Sequence, residues 1–142
     1  MATAHDVAKY ILEKQGPLSA MKLEKLVYYS QAWSLVWDEE PLFNDEIQAW
    51  ANGPVVRNLY EVHRGQYLIE RWPSGDTGAL NENQRDSINV VLGYYGAKNA
   101  QQLSDLTHSE APWRNARRGV AEGAPCENPI THAAMSEYYG SL

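Results

Sequence analysis

The period of the hydrophobic positions changes several times along the chain, and each change marks an element. Ile47, Ala49 and Ala51 alternate with Glu46, Gln48 and Trp50, the period of a half-buried strand. Asn52-Gly53-Pro54 interrupts the run, and Val55, Leu59 and Val62 then follow at helical spacing. Pro54 has a fixed φ and no N–H, which suits the first position of a helix, with Asn52 or Gly53 as the capping residue. Strand, tight turn and helix are therefore expected over Glu46 to Tyr60, with the other helices packed against this corner.

Upstream, Val7, Ala8, Ile11 and Leu12 share one face of a helix over His5 to Gln15, stopped by Gly16-Pro17. Ser19 caps a second helix in which Leu23, Leu26, Val27, Ser30, Trp33 and Trp37 recur every three or four residues. Its length and apolar stripe predict the spine of the core. Tyr28 and Tyr29 fall on adjoining faces, so at least one is expected at the core boundary with its hydroxyl outward. Asp38-Glu39-Glu40-Pro41 ends this helix.

Arg64 to Leu80 is rich in Gly, Pro, Ser and Asp and reads as an ordered loop with a short extended piece at Tyr67 to Glu70. Asn81 to Gln84 forms a capping box before Ile88, Val91, Leu92 and Tyr95, closed by Gly96. Asn99 to Gln102 repeats the pattern before Leu103, Leu106 and Thr107. Ser109 is expected to cap a turn holding Pro112, Trp113 and Ala116. Ile130 adds a residue or two of strand, and Thr131 caps a last helix with Ala134, Met135 and Tyr138 inward. The expected architecture is mainly α (α+β): a compact bundle of six or seven helices with a two- or three-stranded sheet element, in one domain over residues 1–142.

Composition narrows the function classes. A formal charge of −6 disfavours a general nucleic-acid binder, which needs a basic surface. Cys126 is the only cysteine, so no internal disulfide forms, and the start MATAHDVAKY lacks the basic and apolar regions of a leader. No apolar run approaches the roughly 20 residues that span a bilayer. A cytoplasmic protein with no membrane contact is expected. Five Trp and nine Tyr against one Phe favour rings with polar tips, the side chains that anchor interfaces.

Candidate chemistry is sparse. His108-Ser109-Glu110 with Pro125-Cys126 partly matches a zinc deaminase pattern, but Pro129 stands where the second thiolate is required. No metal and no cofactor are expected. Asp105 and His108, three apart on one helix face, offer a base and its orienter for a small hydrolase, without a characteristic nucleophile. Helix, Gly-Pro turn and Ser-capped helix over Ile11 to Gln31 also describes a helix-turn-helix presenting Ala20, Lys22, Glu24 and Lys25, the basis of a DNA-binding alternative. The acidic balance argues against nucleic acid as a partner. Arg57, Arg64, Arg114, Arg117 and Arg118 concentrate positive charge, either as solvated helix faces, with Arg57 paired to Glu61, or as a patch for an acidic partner or an anion. Trp50, Tyr60 and Trp113 read as core, or as anchors at an interface.

KLEKLVYYSQAW (Lys22 to Trp33), IQAWANGPVVRNLY (Ile47 to Tyr60), LSDLTHSEAPWRNAR (Leu103 to Arg117) and ITHAAMSEYY (Ile130 to Tyr139) occur in that order. Together they resemble the Panacea domain, the SocA-like antitoxin family that includes phage-associated GepA proteins. The resemblance implies a small, mainly helical protein of a bacterium or prophage that neutralises a cognate protein toxin by direct binding and has no catalytic residues of its own. The SocA branch implies an alternative output, delivery of the toxin to a Clp-type protease. The partner surface is expected to include Trp50, Asn52, Arg57, His108, Trp113, Arg114 and Arg117. Gly53, Pro54, Tyr60, Thr107 and Trp33 are expected to serve the fold.

Overall fold

A computed structural model describes the whole chain, Met1–Leu142. The elements in order are α1 (Ala4–Gln15), β1 (Leu18–Ser19), α2 (Ala20–Trp37), β2 (Ile47–Trp50), β3 (Gly53–Val56), α3 (Arg57–His63), β4 (Leu68–Ile69), a 3₁₀ turn (Thr77–Ala79), α4 (Glu82–Tyr95), α5 (Ala100–His108), α6 (Ala111–Ala116) and α7 (His132–Gly140). Seven helices and two small antiparallel sheets, β1 with β4 and β2 with β3, make the mainly α architecture expected. No helix is long and apolar enough to cross a membrane.

Polar signals near the helix ends place most of the boundaries. Ser19 Oγ accepts the Lys22 N–H, and Thr131 accepts that of Ala134. Asn81 with Gln84, and Asn99 with Gln102, close reciprocal capping boxes. Ser109 behaves otherwise: it ends α5, and Glu110 is the residue before α6. The Glu110 carboxylate turns inward instead of capping, because Tyr29 and Tyr139 supply it with buried donors.

The second helix is the spine, but more completely buried than its stripe implies. It packs against α1, α4, α5, α7 and β3, so nearly every position from Leu23 to Ala32 is enclosed. Glu24 and Lys25 are only 2% and 1% exposed, which removes the helix-turn-helix reading: two of the residues meant for a groove lie in the interior. Tyr28 and Tyr29 are both buried, correcting the expectation of an outward hydroxyl. Tyr28 meets the Tyr139 hydroxyl at 3.0 Å and Tyr29 donates to Glu110 Oε1 at 2.6 Å. Trp33 is half-buried and Trp37 exposed, their indoles stacked at the surface end of the helix. In α7 the inward side chains are Met135 and Tyr139, while Tyr138 is half-buried.

The corner differs from the expected strand, turn and helix. Gly53–Val56 is a second strand, paired in register so that Pro54 faces Ala49 and Trp50 faces Gly53, and α3 begins only at Arg57. Pro54 is tolerated because its missing N–H would lie on the edge away from β2. That edge is completed by α2 side chains instead of a strand. Lys25 Nζ donates to Pro54 O at 3.1 Å and Glu24 Oε1 accepts the Val56 N–H at 2.8 Å. On the opposite edge, Ala49 donates to Asn128 O and Ile130 to Ile47 O, the short extended piece expected near Ile130.

Candidate functional site

The hairpin alternates as a strand pair must. Ile47, Ala49 and Val56 are buried in the core, whereas Trp50 and Val55 occupy the other face and are half-exposed. That face opens into a cavity of about 510 Å³. Trp50, Val55, Tyr60 and Met21 supply apolar walls, and Cys126 and Glu127 form the side contributed by the loop before α7. Trp50 and Tyr60 meet edge to face, ring centroids 4.7 Å apart.

The floor of the cavity is charged and buried. His63 Nε2 lies 2.7 Å from Glu24 Oε2, and Lys25 stands beside them. Burial pushes the Lys25 ammonium down to about 8, partly offset by the adjacent Glu24 carboxylate. Glu24 and Lys25 enter the sequence reading only as groove contacts of the DNA-binding alternative, and His63 does not enter it as a site residue. The available signal was two adjacent charges set among Leu23, Leu26 and Val27 on a core helix, a position where ionised groups require partners.

The segment Thr107 to Arg118 is joined to the hairpin. Trp113 Nε1 donates to Trp50 O at 2.8 Å, and Ser104 Oγ donates to Asn52 O at 2.6 Å. His108 stacks on Trp113 at 4.0 Å, and the Arg117 guanidinium lies 5.1 Å from the same ring. Arg117 is 5% exposed and donates to the carbonyls of Ala49, Ala121 and Ala124. It is an internal clamp, which corrects its place in a partner surface. Trp113 is half-buried with its N–H used internally, a packing role more than an exposed anchor.

Other expected residues separate in the same way. Arg57 pairs with both Glu61 and Glu127 at 2.9 Å and lies 5.8 Å from the Trp50 ring, while Arg114 and Arg118 are exposed. Of these arginines, Arg117 is thus buried and Arg57 is engaged by two carboxylates. Asn52 is exposed at the hairpin turn. Asp105 accepts from Gln101, not from His108, so the base and orienter of the hydrolase reading are not assembled. His108 Nε2 is enclosed without a partner, and burial lowers the imidazole's proton affinity. Thr107 and Gly53 are buried at the junction, and Tyr60 lines the cavity.

Comparison with known proteins places this arrangement. Antitoxin SocA of Caulobacter vibrioides (strain NA1000 / CB15N) is 29% identical over 127 residues, covering 78% of this chain and 68% of the relative. No solved structure matches the chain. The family described as antitoxin SocA-like, Panacea domain, matches residues 23–114, a span that holds most of the spine helix, the hairpin, α5 and the first part of α6. With most of its length inside that match, the chain belongs to the SocA-like, Panacea-domain antitoxin family.

Proposed function

We propose that this protein is an antitoxin that neutralises a cognate protein toxin by direct binding, without chemistry of its own. Membership of the family carries the reading. The surface proposed for the toxin is the exposed rim of the hairpin junction, with Trp50, Asn52, Arg57 and Arg114 facing outward and His108, Trp113 and Arg117 holding that rim in shape. Such a division suits interfaces in which a few aromatic and Arg side chains dominate the energy on a rigid support.

The test is co-expression with the adjacent open reading frame, scored first by growth and then by co-purification. Rescue of growth together with a stable complex supports direct neutralisation. Rescue without a complex overturns it and turns attention to delivery of the toxin to a Clp-type protease, read from toxin levels with and without that protease.

A further inference from the structure

The floor of the hairpin cavity holds hydrogen-bonding capacity that the protein leaves unused. Lys25, 1% exposed, makes a single hydrogen bond through Nζ, to Pro54 O. An ammonium carries three protons, so two have no protein acceptor. His63 meets Glu24 through Nε2. An ionised carboxylate only accepts, so Nε2 carries the proton and Nδ1 is left without a protein partner. Glu24 accepts from His63 through one oxygen and from the Val56 N–H through the other, and Glu127 at the rim meets Arg57 through Oε1. A buried ammonium with one protein acceptor, beneath apolar walls, leaves two N–H groups for an acceptor from outside.

We propose that this cavity binds a small organic acid, its carboxylate accepting from Lys25 Nζ and its aromatic or aliphatic body packed against Trp50 and Tyr60. The volume of about 510 Å³ is that of a site for a small molecule. The groups that face Lys25 are Glu24 on its own helix, Tyr60 and His63 from α3, His108 from α5, and Cys126 and Glu127 from the loop before α7. Because burial already holds Lys25 down to about 8, the acid binds best below that pH and loses affinity as the ammonium deprotonates. This site stands independently of the toxin reading, since it concerns the chain alone.

The experiment titrates the purified chain with phenylacetate, with hexanoate and with the neutral isostere phenylacetamide. It follows tryptophan fluorescence and the titration of Lys25 in protein carrying ¹³C-labelled lysine. Phenylacetate is expected to bind about tenfold or more tightly than the amide, as a hydrogen bond between charged groups implies. Saturation with the acid is expected to raise the Lys25 midpoint, and Lys25→Met to cancel the preference. Equal affinity for acid and amide, absence of binding by both acids, or a Lys25 midpoint unmoved at saturation overturns the proposal. The midpoint is read on the unaltered protein, so the result stands even where Lys25→Met does not fold.

Discussion

Trp113 donates its indole N–H to the main-chain carbonyl of Trp50 at 2.8 Å. This bond joins α6 to β2 across 63 residues of sequence, and with it two of the four stretches that resemble the family, Ile47 to Tyr60 and Leu103 to Arg117. The Arg117 guanidinium reinforces the same seam through the Ala49 carbonyl. Side chains that would have made good interface anchors are thereby committed to holding the hairpin in place.

Arg117→Ala is accordingly expected to destabilise the fold by about 3 kcal/mol or more, because three carbonyls lose a charged donor in a largely enclosed site. Arg117→Lys recovers only part of this, since an ammonium lacks the planar fork that reaches separate acceptors. Urea unfolding measures both. A transition unchanged in Arg117→Ala would return the residue to the surface.

The outward residues predict the reverse pattern. Arg57→Ala and Arg114→Ala are expected to leave the melting transition in place and to weaken toxin binding about tenfold or more, if the proposed rim is the interface. Calorimetric titration of each folded variant against the co-purified toxin provides the check. Undiminished affinity in both would move the interface elsewhere on the molecule.

Glu110 makes stability depend on pH. Burial raises its carboxyl above the usual range, and the hydrogen bonds from Tyr29 and Tyr139 offset this only in part. The folded chain therefore holds the Glu110 proton more tightly than the unfolded chain. Between the two pKa values the folded state carries more protons, so this contribution to stability is present at low pH and is lost as pH rises through the folded value. Glu110→Gln keeps an oxygen to accept both tyrosine hydroxyls and removes the titration. Urea midpoints from about pH 4 to about pH 7 should show the native protein losing stability relative to Glu110→Gln as pH rises. Parallel curves would remove Glu110 as the cause.

Gly53 is required by two separate constraints. Its φ is +120°, a region that side chains avoid, and a Cβ there would lie 2.5 Å from Lys25 Cε and 3.0 Å from Thr107 Oγ1. Gly53→Ala should cost about 2 kcal/mol or more and displace the Lys25 head from Pro54. Thermal unfolding tests the first consequence, and loss of the depressed Lys25 titration tests the second.

Much of the helical framework was legible in the sequence because its determinants are local. Ser19, Asn81, Asn99 and Thr131 each satisfy backbone donors within three residues, so their helices begin where the side-chain type indicates. The short strand signals near Tyr67 and Ile130 likewise survived as β4 and as the pairing at Pro129. Ser109 has the right chemistry for a cap but was overruled, because the neighbouring Glu110 had buried tyrosine donors waiting for it.

Local residue patterns carried the six or seven helices, the caps at Ser19, Asn81, Asn99 and Thr131 and the strand over Ile47 to Trp50, since each depends on neighbours a few residues apart. Long-range packing places Pro54 in a strand, makes Arg117 an internal clamp and buries Glu24 and Lys25. Those outcomes rest on partners far apart in sequence: Lys25 with Pro54, Arg117 with Ala49, Tyr139 with Glu110 and Tyr28. A charged side chain shows its type in the sequence. Whether it meets water or a carbonyl is settled by which elements close over it, and burial leaves it stable only where such a partner is found.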